Sequence, residues 1–176
     1  MKNRRPATSA VAVILLLLAL LWMIVIFYLS GQSVKDSTSL SQFFCHGPAR
    51  YLAEIDWLNA YAGIPQAKAY AFWLTRLDGI VRKTAHFTEY AVLAMILYGT
   101  LRLLQARILF IAGKSGMIAF IASVLFAVQD EWHQMFVPGR GPGVRDVFID
   151  SCGAAFGIAV LWLLVFRKTK SRNFKA

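Results

Sequence analysis

Residues 130–150 read Asp130-Glu131-Trp132-His133-Gln134-Met135-Phe136-Val137-Pro138-Gly139-Arg140-Gly141-Pro142-Gly143-Val144-Arg145-Asp146-Val147-Phe148-Ile149-Asp150, and the sequence on either side is apolar enough to sit in a bilayer. Two membrane helices therefore end in one polar crown. Ionisable side chains at the mouth of membrane segments are costly unless they are paired or hydrated. Their presence calls for either a functional site or an ion-pair lock.

The rest of the chain agrees with a membrane setting. Of its 176 residues 58% are hydrophobic and only 16% charged, with a positive mean hydropathy, which excludes an ordinary soluble domain. A net charge of +10 would suggest nucleic acid in a soluble protein. Here the basic residues fall in patches between apolar stretches, where they set topology, so nucleic acid is not an expected partner. Cys45 lies in a loop and Cys152 in an apolar segment, and both read as free thiols.

Working outward, the expected fold is an all-α integral membrane protein with about four transmembrane helices, at 7–29, 85–104, 115–136 and 144–166, in a single domain over 1–176. The first span follows Met-Lys-Asn-Arg-Arg and reads as a retained anchor, because its apolar run is too long for a signal peptide and lacks a small-residue cleavage site. With the N-terminus inside, Lys2, Arg4, Arg5, Arg102, Arg107, Lys114, Arg167, Lys168, Lys170, Arg172 and Lys175 all face the cytoplasm with no acid among them. The nine Asp and Glu residues fall on the other side or in the outer halves of the spans. That is a positive-inside pattern with both termini cytoplasmic. The outer connection, 30–83, carries Phe43, Phe44, Tyr51, Trp57, Tyr61, Tyr70, Phe72 and Trp73 at near-helical spacing. Amphipathic helices at the outer interface suit it, either as a lid over the crown or as packing.

In the second span Lys83, His86 and Tyr90 share a helix face, and Glu89 lies three residues after His86. Asp130, His133 and Gln134 share a face of the third span, with Glu131 beside them. Asp130 and Glu131 sit at the negative end of that helix's dipole, which calls for a compensating cation such as Arg140, Arg145 or Lys83. The Gly- and Pro-rich turn 137–143 should fold back tightly and present N–H groups near Arg140. Arg145 and Asp146 then open the fourth span, in which Asp146, Asp150, Gly153 and Gly157 form one stripe. Its Gly-x-x-x-Gly pattern would let another backbone approach closely and draw the carboxylates into the bundle.

Four readings of the crown stay open. Arg140, Arg145 and Lys83 could capture an anionic head group, with the glycine turn supplying N–H donors. His86, His133, Glu89, Asp130 or Asp150 could bind a metal, yet no spacing typical of a metal motif is present, and no metal or cofactor is expected. His86 or His133 could act with a carboxylate such as Asp150 in acid–base catalysis on a lipid-linked phosphate substrate, although no obvious nucleophile accompanies them. Finally, the basic residues could simply neutralise Asp130, Asp146 and Asp150 to hold three helices together.

Three separate segments, 26–33 (Ile-Phe-Tyr-Leu-Ser-Gly-Gln-Ser), 83–91 (Lys-Thr-Ala-His-Phe-Thr-Glu-Tyr-Ala) and 130–140 followed by Arg145, Asp146 and Asp150, resemble the VanZ-like family of small bacterial membrane proteins. The connection between the first two spans is longer than that family's pattern, and Gly141-Pro142-Gly143 replaces its serine-containing turn. The resemblance implies a multi-pass protein of the bacterial plasma membrane with a role in the cell envelope and an effect on susceptibility to the glycopeptide teicoplanin. It implies no established reaction. Residues and resemblance together make membrane lipids, a lipid-linked cell-wall intermediate or an anionic glycopolymer the expected partners, and Lys83, His86, Glu89, Tyr90, Asp130, Glu131, His133, Gln134, Arg140, Arg145, Asp146 and Asp150 the candidate binding residues.

Overall fold

The computed structural model describes residues 5–105, 108, 113–141 and 143–166, and these are helices joined by short turns. The flanking basic residues Lys2, Arg4, Arg107, Arg167, Lys168, Lys170, Arg172 and Lys175, and Pro142 of the turn, lie outside the described residues. In chain order the helices are α1 (Arg5–Ser30), α2 (Val34–Ala53), α3 (Asp56–Tyr61), α4 (Gln66–Leu104), α5 (Ser115–Gln134) and α6 (Val144–Leu161), the last continued by a π-helical turn, Trp162–Phe166.

The longest of these changes the expected layout. No proline interrupts 66–104, Pro65 stands immediately before its first residue, and good helix formers dominate the stretch. The 39 residues of α4 therefore run as one rod of about 58 Å at about 1.5 Å per residue, nearly twice a hydrocarbon core of roughly 30 Å. Instead of a span beginning near residue 85, the outer connection and the second span share one helix. The first half of α4 pairs antiparallel with α2: the Ser41 hydroxyl donates to Asp78, and His46 Nδ1 lies 2.7 Å from the Tyr70 hydroxyl. Cys45 is buried in that seam, and burial, followed by the nearby Asp78 carboxylate, pushes its thiol up, so it stays protonated.

At the far end of this hairpin the buried Asn59 closes the α2–α3–α4 connection. It donates to the Ala53 carbonyl at 2.8 Å and to Gln66 Oε1 at 3.1 Å, and accepts from Trp73 Nε1 at 2.8 Å. Gln66 Nε2 also donates to the Ala53 carbonyl at 2.9 Å. A short connection with few apolar contacts is thus held by side-chain hydrogen bonds.

The second half of α4 is the centre of the bundle. Helix α1 packs antiparallel to it, with Trp22 Nε1 donating to the Glu89 carbonyl at 2.9 Å. Helix α6 packs parallel to it, and the contact depends on two glycines: a Cβ on Gly153 or Gly157 would run into the carbonyl of Phe87 or Ala91 respectively. Small residues at i and i+4 let two backbones touch, as the stripe in the sequence predicts. Helix α5 closes the core, where Ile26, Tyr90, Leu93, Phe126 and Ala127 meet.

Three helices are long and apolar enough to cross a membrane: Ala10–Ser30 of α1, Gln66–Leu104, and Val144–Leu164 of α6 with its π turn. The fourth expected span, 115–136, corresponds to α5, which is not among them. Gln129, Asp130, Glu131, His133 and Gln134 occupy its last turns and shorten its apolar run.

Candidate functional site

The helix ends meet around a cavity of about 510 Å³. Helix α4 contributes Arg82, Lys83, His86 and Glu89, α5 contributes Glu131 and Gln134, and the turn adds Gly139, Arg140 and Gly141. Asp146 closes it from α6, while Ser30, Gln32, Ser37, Ser41 and Phe44 cover it from α1 and α2.

Each wall follows from local sequence. Lys83, His86 and Glu89 are three residues apart, so consecutive turns of α4 point them the same way. Lys83 Nζ pairs with Asp146 Oδ1 at 2.5 Å across the α4–α6 seam. One turn below, His86 Nδ1 stands 3.7 Å from Asp150 Oδ1, which is ion-pair range but beyond a hydrogen bond. Helix α5 ends at Gln134, and Gly139, with φ of 81°, turns the chain back in a conformation that favours glycine. One carboxylate fastens the turn: the Gly143 N–H donates to Glu131 Oε2 at 2.8 Å. The Arg140 N–H donates to the Val137 carbonyl at 3.1 Å. These two N–H groups serve the turn itself, whereas the sequence had suggested them for a ligand.

Arg140 itself is different. Among the described residues no carboxylate comes within ion-pair distance of its guanidinium, and its Nε is buried without a hydrogen-bond partner. Burial, and then the nearby Arg82 charge, pull the Arg140 guanidinium below its ordinary value, against the pull of Asp130, Glu131 and Glu89. Arg82 is tied to Asp78 at 3.5 Å, one turn back on α4. Two guanidinium groups therefore share the cavity wall, and only one has a close carboxylate.

Of the twelve candidate residues, the cavity gathers Lys83, His86, Glu89, Glu131, Gln134, Arg140 and Asp146. The other five lie elsewhere. Asp130 is fully buried behind the cavity, accepting from Ser30 Oγ at 2.7 Å and Gln134 Nε2 at 3.3 Å. Asp150 is buried beneath His86. Tyr90 belongs to the core, its ring 6.1 Å from Phe126. His133 stacks on Phe27 at 4.0 Å. Arg145 is exposed and makes no ion pair among the described residues, so it does not compensate Asp130 as the helix-dipole argument had proposed. Neighbouring residues on a helix with 3.6 residues per turn point to different sides, so Arg145 is exposed while Asp146, one residue on, lines the cavity.

Sequence reasoning passed over Arg82, Ser30 and Ser41. The Asp78–Arg82 spacing of four residues was the available signal for the first. Ser30 falls in the 26–33 segment of the family resemblance without being singled out there, and Ser41 carries no such mark, since only the packing of α2 brings it to the cavity. Among the described residues no group of three or more His, Cys, Asp or Glu side chains is placed to hold a metal ion.

The arrangement that decides identity runs through the whole chain, from Ser30 at the end of α1 to Asp150 in α6. A family model described as VanZ/LLP1 matches residues 15–166. The chain belongs to the VanZ/LLP1 family. The match spans all six helices apart from the first turns of α1, so the cavity and its glycine-mediated helix contact lie inside the family's region. No curated protein and no solved structure matches the chain.

Proposed function

We propose that this VanZ/LLP1 protein is a four-span protein of the bacterial plasma membrane whose outward-facing cavity binds the anionic head group of an envelope lipid, such as a lipid-linked cell-wall intermediate, or an acidic glycopolymer. The observation that carries the reading is Arg140. A half-buried guanidinium without a close carboxylate, beside a second one at Arg82, is a poor arrangement for stability alone and a suitable one for an oxyanion that both can donate to. Lys83 stands on the same wall.

The four-span topology is supported by the surface of α5. Its Asp130, Glu131 and Gln134 are buried inside the bundle, while Met117, Ile121, Leu125, Val128 and Trp132 form an exposed stripe that is apolar except for Gln129 near its end. Lipid would meet that stripe and not the acids. Together with the basic inner segments, this supports a topology with both termini in the cytoplasm and the cavity outside.

Binding of decaprenyl phosphate to the protein in zwitterionic nanodiscs tests the reading, with inorganic phosphate as a second titrant to separate a lipid from a free ion. Arg140→Ala should weaken binding at least tenfold, as expected when a charge-assisted contact of about 1.5–3 kcal/mol is lost. Arg145→Ala should change it less than threefold. Equal affinity of wild type and Arg140→Ala would refute the proposal. If the bound component belongs to the precursors that glycopeptides contact, expression of wild type, but not of Arg140→Ala, lowers teicoplanin susceptibility in an inhibition assay.

A further inference from the structure

Beneath the cavity lie buried polar groups without hydrogen-bond partners. Asp150 is 1% exposed, and neither of its oxygens has a hydrogen-bond partner. The fully buried Tyr90 hydroxyl and His86 Nδ1 also lack one. Asp130, equally buried, differs in having Ser30 and Gln134 on Oδ2. What separates Asp150 from the cavity is His86, which lines it.

We propose that His86 and Asp150 form a proton-binding pair beneath the cavity, in which a proton held on Asp150 in the empty protein moves to His86 when an oxyanion occupies the cavity. This rests on the oxyanion reading above. An ionised carboxylate buried without a donor or a cation in contact is strongly unfavourable, whereas a neutral imidazole at the cavity wall is not. The charged and titratable groups around the pair are Arg82, Lys83 and Glu89 on α4, Asp130 and Glu131 on α5, Asp146 on α6 and Arg140 from the turn. With no anion in the cavity, the burial of Asp150 without a donor keeps both members neutral, and the proton sits on an Asp150 oxygen.

An oxyanion beside His86 reverses the preference. The Asp150 O–H bond breaks, the His86 Nδ1–H bond forms, and no proton enters or leaves the protein. The imidazolium then donates from Nδ1 to the Asp150 carboxylate and from Nε2 toward the ligand, lying between two anions. Closing the 3.7 Å gap to a charge-assisted hydrogen bond of about 2.7–2.9 Å takes a small side-chain rotation. His133, the other histidine of the crown, is excluded from this role by its stacking on Phe27 away from the cavity.

Infrared difference spectroscopy of the full chain in zwitterionic nanodiscs tests the transfer, with calorimetry run in parallel to record binding of decaprenyl phosphate. The probe-free protein should show the C=O stretch of a protonated carboxyl that is lost in Asp150→Asn, retained in Asp146→Asn and shifted in Asp150→Glu. Adding the probe should bleach that band in wild type and leave it in His86→Gln. Absence of an Asp150-dependent band in the probe-free protein overturns the proposal, as does an unbleached band while calorimetry records binding. If no binding is recorded, the oxyanion reading falls and the coupled transfer with it, although an Asp150 band would still show the stored proton. Asp150→Glu keeps the assignment possible if Asp150→Asn does not fold.

Discussion

Two glycines determine how far the carboxylates enter the bundle. Gly153 and Gly157 lie under the Phe87 and Ala91 carbonyls, so α6 touches α4 along its backbone and carries Asp150, three residues before Gly153, to the level of His86. A methyl group at either position has no space that a flexible side chain could vacate, because the obstacle is backbone. Gly153→Ala and Gly157→Ala should each lower stability by about 1–3 kcal/mol, the usual cost of overpacking a filled contact. Gly79, in contrast, has nothing within 4 Å of an added Cβ, and Gly79→Ala should be neutral or stabilise by up to about 1 kcal/mol through helix propensity. Thermal unfolding of the three variants in detergent, followed by circular dichroism, separates these outcomes. Equal melting of all three would contradict the packing account.

At the scale of elements, buried hydrogen bonds hold the far end of the hairpin more firmly than the exposed ion pair holds the crown. Among the described residues Lys83 and Asp146 form the shortest ion pair, yet their side chains are 41% and 36% exposed, and such pairs contribute about 0–1 kcal/mol. Asn59 is 2% exposed and joins α2, α3 and α4 by three hydrogen bonds. Asn59→Ala strands the Trp73 indole N–H and should cost about 1–3 kcal/mol, more than Lys83→Ala. Unfolding midpoints of the two variants decide the order. If Lys83→Ala proves the more damaging, and the exchange Lys83→Asp with Asp146→Lys restores stability, the ion-pair lock regains its place as the main role of the crown.

For the molecule as a whole, the number of crossings sets the side on which every charged group lies. With four spans, tags at the two termini become accessible on the same side, and a cysteine near Tyr61 at the tip of the hairpin becomes accessible on the other. With three spans, α5 stays on one face and the termini separate. Labelling of intact cells with an impermeant thiol reagent, using single-cysteine variants in a Cys45- and Cys152-free background, distinguishes the two. Opposite termini would remove the outward cavity from the proposed function.

Much of this was legible from residue order. The apolar runs around 130–150 announce membrane helices because hydrocarbon admits only backbone that bonds to itself. The three-residue spacing of Lys83, His86 and Glu89, and the four-residue spacing of Gly153 and Gly157, become a shared face and a close contact as soon as the chain is helical, since both are properties of a single helix. Tertiary structure alone decided which polar groups meet. That Arg140 reaches the cavity and Arg145 the outer rim, that Ser30 satisfies Asp130 across 100 residues of chain, and that α4 runs unbroken from the hairpin into the bundle all depend on how separate helices pack. Helical periodicity fixes the angle between residues along one rod. It leaves free the rotation of that rod against its neighbours, and only the packed bundle removes that freedom.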